Sequence, residues 1–574
     1  MMENKLKQYL PAFLQKPISW IILFNAIMFL IGINWGLPSS EDWHSDSLAP
    51  YYPLLGLSQG FSFGYLNKYP LVHQVILAVL NLPVAIVAFI NSNPMEGLSL
   101  SKFLMLIRSP EYASVLTLTD RLVSAAMGLG IIYWMYRSVK ELFNERTALI
   151  TAFLLSFDAV LNFYSHMAKV EVPYIFWGVL GMYMLIKVIK YEKLKDYIYL
   201  ALFSCLSYGT KDQGYALFVL PFIFYLAIYK VMYRDVAVSI GKTIFRKNFL
   251  WFCLAFIVIT LVTQNVFFNL EGFIYRFEIL TGWNGQRSMA YTLAPAGIWA
   301  LFIDCIRSII DDAIGLPLFL LYAAGVIFFV IHRFHDRKDF FEKSIFLIGA
   351  LSTYLFFVQV SRQDAVRFLL PITIFLTVYG AYLFNFLYEK LSGKLRVFAY
   401  AICSLIFLYS FYLTFSVNMN FLNDLRYETE EWMAENIQSG STIEYYAYLH
   451  YLPRFQKDIS SYRITNDALN IEKRKPNYIV LTSHYYTRFL PEGVEHEVVD
   501  GRITNTAKAI YTRTSNDMPL FLKELFTGNL NYTQIAKFQE PDTWYRKVTH
   551  ARISPDHIII YKRISDEETS GEQK

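Results

Sequence analysis

Charge is scarce in this sequence. Asp, Glu, Lys and Arg make up 17% of its 574 residues, where a soluble chain carries about a quarter. That shortage argues against an ordinary water-soluble protein. Cysteine is scarcer: Cys205, Cys253, Cys305 and Cys403 are the only four. All lie in or beside apolar segments and none lies beyond residue 417, which excludes a disulfide framework or a thiolate metal site in the C-terminal region. A glycine-rich phosphate loop and an exposed Ser–His–Asp elbow are both missing. The net charge of +5 is small and comes from short loops, so no nucleic-acid partner is expected. The first apolar run, 18–35, is too long for a cleavable signal and lacks a small-residue cleavage pattern.

Apolar residues fill the space that charge leaves, at 55% of the chain. They fall into runs of about 18 to 22 residues, the length that crosses hydrocarbon. The expected spans are 18–36, 119–137, 147–165, 172–190, 196–210, 214–232, 249–268, 315–332, 344–360, 368–387 and 396–416. The expected fold is therefore a polytopic α-helical membrane bundle of about eleven helices. Its large first outer loop is followed later by a small C-terminal α/β domain outside the cytoplasm.

Cations set the orientation. Lys5, Lys7 and Lys16, then Arg137, Lys140 and Arg146, fall on one side. The same side receives Lys187 to Lys195, the cluster from Lys230 to Lys247, Arg333 to Lys343, and Lys390 to Arg396. Short Lys/Arg-rich loops stay cytoplasmic, which puts the N-terminus inside and the C-terminal domain outside. This bias also places the apolar segment 71–91 as a helix on the outer face, since a crossing there would turn Arg137 to Arg146 outward; a plain span is the alternative. The outer loops 37–118 and 269–314 are then long, the second with an amphipathic stretch at 298–314. The expected division is a transmembrane domain at 1–417, a soluble α/β domain at 418–564 and a disordered tail at 565–574. In the soluble part, 429–437 reads as a helix, and 441–446, 478–482 and 557–561 read as strands.

The ionisable residues that could do chemistry fall on the outer side, where charge beside a membrane marks function. They are Asp42, His44 and Asp46 in EDWHSDS, Lys68 before YPL, Lys169 and Glu171 in HMAKVEVPY, Lys211 and Asp212 in GTKDQG, and Arg362, Asp364 and Arg367 in SRQDAVRFLLP. Cations of this kind suit a lipid phosphate. A carboxylate beside them suits deprotonation of an attacking hydroxyl. The bland reading is interfacial anchoring by snorkelling side chains, which Asp is too short to do. Asp42, His44 and Asp46 do not have metal-ligand spacing, and neither a metal nor another cofactor is expected.

In their order, these motifs resemble the polyprenyl-phosphate-dependent glycosyltransferases of the C superfamily, which include protein O-mannosyltransferases and bacterial aminoarabinose transferases. Asp46 takes the position of the family's first-loop Asp, with Ser45 and Ser47 replacing its usual Pro and Glu neighbours. Lys68-Tyr69-Pro70-Leu71, Arg121-Leu122, Glu171-Val172-Pro173, Thr210-Lys211 and Arg367 through Pro371 look like its later elements. The resemblance implies metal-independent, inverting transfer of a sugar from a polyprenyl-phosphate donor to a protein, lipid or glycan acceptor. Asp46 would be the base and Glu171 an orienting carboxylate. Lys68, Lys211, Arg362 and Arg367 would hold the phosphate, with Asp42 and His44 as auxiliary groups. Two other readings are a secondary transporter, which predicts inverted repeats and mid-membrane polar breaks, and a non-catalytic binding or assembly protein on the same fold.

Overall fold

Long apolar runs with few breakers fold as long helices, and helices dominate this chain. The computed structural model describes residues 15–44, 47–61, 69–92, 100–229, 246–281, 290–464, 467–489, 498–499, 502–503, 517–539, 541–548 and 553–564. Among these, six helices are long and apolar enough to cross a membrane, and eight if two bent pairs each count as one span. The six are Leu71–Asn91, Pro110–Leu142, Glu171–Tyr191, Pro295–Arg333, Val366–Lys390 and Gly393–Asn436. Three expected spans coincide with shorter apolar helices, Pro17–Leu30, Asp212–Leu226 and Lys247–Thr263, and 196–210 coincides with the 17-residue helix Leu194–Thr210.

Local chemistry explains where the helices break. Asn144 caps Glu145–Leu155 by accepting from the Thr147 amide. The chain then bends by 68° into Ala159–Ser165. Asp158 starts that second helix by accepting from the amides of Val160 and Leu161, and Thr373 donates to its other oxygen at 2.6 Å. Such caps satisfy donors that the first helical turn leaves open.

Segment 71–91 forms one helix, long and apolar enough for a crossing. Its contacts run along the first part of Pro110–Leu142. Asn91 donates to the Tyr112 hydroxyl, Ala88 packs with Ile107 and Leu116, and Asn81 donates to Asp120 at 2.8 Å. Beside its Asn91 end, Glu111 pairs with Lys457 of the C-terminal region. With 33 residues, Pro110–Leu142 is about 50 Å long, longer than the hydrocarbon core of about 30 Å.

The C-terminal region builds a five-stranded mixed sheet. Its strands are β1 (Thr442–Tyr445), β2 (Ser460–Arg463), β3 (Tyr478–Thr482), β6 (Tyr532–Gln539) and β7 (His557–Arg563), in the order β2-β1-β3-β7-β6. A separate short hairpin pairs β4 (Val498–Val499) with β5 (Arg502–Ile503). β1 runs parallel to β2 and β3, and β7 runs antiparallel to β3 and β6. Glu444 on β1 is fully buried, and Arg474 grips both of its oxygens at 2.7 and 2.8 Å.

Helix Gly393–Leu422 carries the chain from the bundle to this sheet. Its Asn418 still belongs to the bundle, donating to the carbonyls of Met28 and Ile31. Asp424 then caps helix Leu425–Asn436 and accepts from the Trp35 indole at 2.9 Å. The Arg426 guanidinium lies 3.9 Å from the Trp43 ring, and Arg454 donates to the Leu37 carbonyl. The sheet domain is thus seated on the segment that follows the first helix, residues 35–43.

Candidate functional site

Three turns converge where the helices Leu71–Asn91, Glu171–Tyr191 and Leu194–Thr210 begin or end. Helix Glu171–Tyr191 starts with its own glutamate, a charge that a helix N-terminus favours. Leu194–Thr210 ends at Lys211, whose extended backbone turns the chain back. The Lys211 ammonium lies 3.1 Å from Glu171 Oε1, and the Lys169 ammonium lies 3.9 Å from the same oxygen. Both Lys169 and Glu171 are 3% exposed. The charge of Arg367 also acts on Glu171 and Lys211, and the Phe368 ring lies 5.3 Å from Lys211 and 5.0 Å from Arg367. Burial, the largest influence on Lys211, pulls its ammonium down to about 8 despite the pull of Glu171 in the other direction.

Asp46 and Lys68 lie outside the described residues. Their described chain neighbours meet beside Glu171: Leu48 and Tyr69 pack with Leu77, Val123 and Val170. The Leu48 amide donates to the Ala168 carbonyl at 3.2 Å, one residue before Lys169.

Asp42 has a different setting. Its carboxylate accepts from Arg121 at 2.9 Å and from the His44 amide at 3.0 Å. Burial raises its pKa, but the charge and hydrogen bond of Arg121 outweigh that and hold the carboxyl below its usual range. The His44 ring packs on Phe163 with centroids 5.8 Å apart. These two residues anchor the loop. Arg362 also has described contacts of its own. It adopts a left-handed backbone with φ of 50° at the end of helix Gln359–Ser361, and its carbonyl accepts from Ala290. Its guanidinium reaches the Tyr291 carbonyl at 3.5 Å. The structure therefore groups Glu171, Lys211 and Arg367, while the Arg362 guanidinium and carbonyl meet residues 290 and 291.

Sequence reading passes over two buried groups near this cluster, Asp120 and His73, and names Lys169 without giving it a role. Asp120 accepts from Asn81 while its second oxygen has no hydrogen-bond partner among the described residues. His73 lies fully buried in helix Leu71–Asn91. The available signal was a polar stripe, His73, Gln74 and Asn81, in an otherwise apolar helix. Several other buried atoms around the cluster also have no hydrogen-bond partner among the described residues: Glu171 Oε2, Thr210 Oγ1 and Gln213 Oε1. Buried polar atoms are normally satisfied, and these lie close to the Glu171 and Lys211 turns. No set of three or more His, Cys, Asp or Glu side chains suited to a metal ion occurs among the described residues.

Residues 115–268 match the family model described as dolichyl-phosphate-mannose-protein mannosyltransferase. That stretch contains Arg121, Lys169, Glu171 and Lys211, and the match bears out the resemblance read from the motifs. No curated protein matches the chain. Among solved structures, the chain is similar to the oligosaccharyltransferase of Archaeoglobus fulgidus in complex with Zn and sulfate, at 13% identity and a TM-score of 0.47, over 95% of this chain and 88% of that one. It is also similar to ArnT from Cupriavidus metallidurans in the apo state, at 12% identity and a TM-score of 0.46, over 84% of this chain and 97% of that one.

Proposed function

We propose that this protein is a membrane glycosyltransferase that moves a sugar from a polyprenyl-phosphate donor to an acceptor hydroxyl on the outer face of the membrane. The observation that carries the reading is the convergence of Glu171, Lys169, Lys211 and Arg367 at one end of the bundle. It falls mostly within the stretch that matches the mannosyltransferase family. Lys211 and Arg367 hold the donor phosphate, with Lys68 as a further ligand supplied by a separate outer segment. Glu171 keeps Lys211 charged and oriented between turnovers. Charge-assisted contacts of this kind stabilise a leaving phosphate as negative charge develops on it.

The reaction is a single inverting displacement. The acceptor oxygen attacks the anomeric carbon, the bond from that carbon to the phosphate oxygen breaks, and its electron pair stays on the lipid phosphate. Asp46 takes the acceptor's proton. The positive-inside bias supports a cytoplasmic N-terminus, eleven spans and an external domain at 418–564. The contacts of Leu71–Asn91 with Tyr112 and Asp120 support an outer placement for that helix.

The test is incubation of membranes containing the protein with radiolabelled polyprenyl-phosphate mannose, followed by a search for label in protein, lipid and glycan fractions. Label transferred by the wild type and lost in Asp46→Asn supports the reading. Absence of transfer to any fraction, with donor binding intact, turns it toward the non-catalytic binding protein.

A further inference from the structure

Helix Leu71–Asn91 is pressed against the site by close packing. At Gly209, two residues before Lys211, a Cβ would stand 2.8 Å from Cγ2 of Val72, so only glycine lets the two helices meet there. Leu77 packs with Leu48 and Val170. His73 precedes Leu77 by four positions and therefore lies on the same helix face. It follows Val72 directly, which brings it beside the Lys211 turn and the start of helix Glu171–Tyr191. The charge of Glu171 acts on its ring. His73 is 0% exposed, and neither ring nitrogen has a hydrogen-bond partner among the described residues. An apolar residue of similar size would fill this place without leaving two polar atoms unpaired.

We propose that His73 hydrogen-bonds a hydroxyl of the donor sugar and is a specificity-determining residue of the site. This rests on the donor reading given above. A neutral imidazole offers one N–H and one lone pair. A sugar hydroxyl also donates once and accepts, so the two are matched. The donor's phosphodiester, a monoanion, and the monoester left after transfer offer chiefly acceptors and suit the ammonium and guanidinium of Lys211 and Arg367. The cations then fix the phosphate, and His73 reads the sugar attached to it. No covalent step is assigned to the imidazole.

The experiment measures binding of two probes to the purified full chain in detergent: a short-chain polyprenyl-phosphate mannose and the same polyprenyl phosphate without sugar. His73→Leu is expected to weaken the mannosylated lipid about tenfold and to leave the sugar-free lipid unchanged. Its melting temperature is expected to equal or exceed that of the wild type, because an unpaired buried polar group is removed. His73→Gln, which retains a donor and an acceptor, is expected to recover part of the loss. Equal weakening of both lipids, weakening of neither, or a fall in melting temperature with unchanged binding would each overturn the proposal. Lys211→Ala separates the two levels. If it weakens both lipids while His73→Leu weakens neither, only the His73 assignment fails. If Lys211→Ala has no effect either, or the wild type binds neither lipid, the donor reading fails with it.

Discussion

Asp42 and Arg121 form an ion pair at 2.9 Å with side chains 3% and 1% exposed. Arg121 also donates to the carbonyls of Ile33 and Trp35 at 2.7 and 2.8 Å. One guanidinium thus ties the end of the first helical region, the segment that follows it and helix Pro110–Leu142 together. Removing one member of a buried pair leaves the other charge alone and costs about 3–5 kcal/mol. Arg121→Leu should therefore sharply lower the melting temperature or the folded yield in detergent. Asp42→Asn, which can still accept from Arg121, should cost less. An Arg121→Leu variant that melts with the wild type would show that the pair does not hold the loop.

Glu171 and Lys211 should behave as site residues whose loss is felt in donor handling. A hydrogen bond to a charged group contributes about 1.5–3 kcal/mol, and 1.4 kcal/mol is a factor of ten. Lys211→Ala and Arg367→Ala should each weaken donor binding about 10- to 150-fold. Lys substituted for Arg367 should restore only part, since an ammonium lacks the planar fork. Donor titration of variants with normal thermal stability checks this. Unchanged affinity in both alanine variants would remove the phosphate clamp.

The pH dependence follows from Lys211. Its ammonium titrates at about 8 because burial outweighs the pull of Glu171. The charged form, which grips phosphate, is present below that pH and is lost as pH rises through it. Donor affinity should accordingly fall between about pH 7 and pH 9. Lys211→Arg should flatten this fall, because a guanidinium stays charged throughout that range. A wild-type affinity that is flat over the same range, measured at constant ionic strength, would contradict the assignment.

Orientation can be read directly with cysteine labelling. Lys193, which starts helix Leu194–Thr210, is expected inside, and Lys457, with its side chain 88% exposed, is expected outside. On intact cells an impermeant thiol reagent should label Lys457→Cys and leave Lys193→Cys untouched. Labelling of Lys193→Cys alone would reverse the bundle and remove the site from the outer face.

Much of the helical part was legible because hydrocarbon length and helix rise leave few choices for a long apolar run. The strands Thr442–Tyr445, Tyr478–Thr482 and His557–Arg563 were visible for a related reason: they are central strands with buried apolar residues. Ser460–Arg463 and Tyr532–Gln539 were missed. They are the two edges of the sheet, where a polar sequence is tolerated on the open side.

Taken by itself, the sequence determined the membrane character, the helical class, the small α/β appendage and the types of residue available for phosphate chemistry, because these depend on composition and short-range periodicity. It also placed Glu171, Lys211 and Arg367 among the candidates. Tertiary structure alone decided how they divide. It drew Asp42 into a buried pair with Arg121 and turned the Arg362 guanidinium to the Tyr291 carbonyl. Through Val72 on Gly209 and Leu77 on Val170, it also set His73 beside Glu171. The physical reason is range. An apolar run declares its burial within about twenty residues. The partner of a buried charge is chosen by helix packing between segments 40 to 80 residues apart, as in Glu171 with Lys211 and Asp42 with Arg121, and no local pattern records that choice.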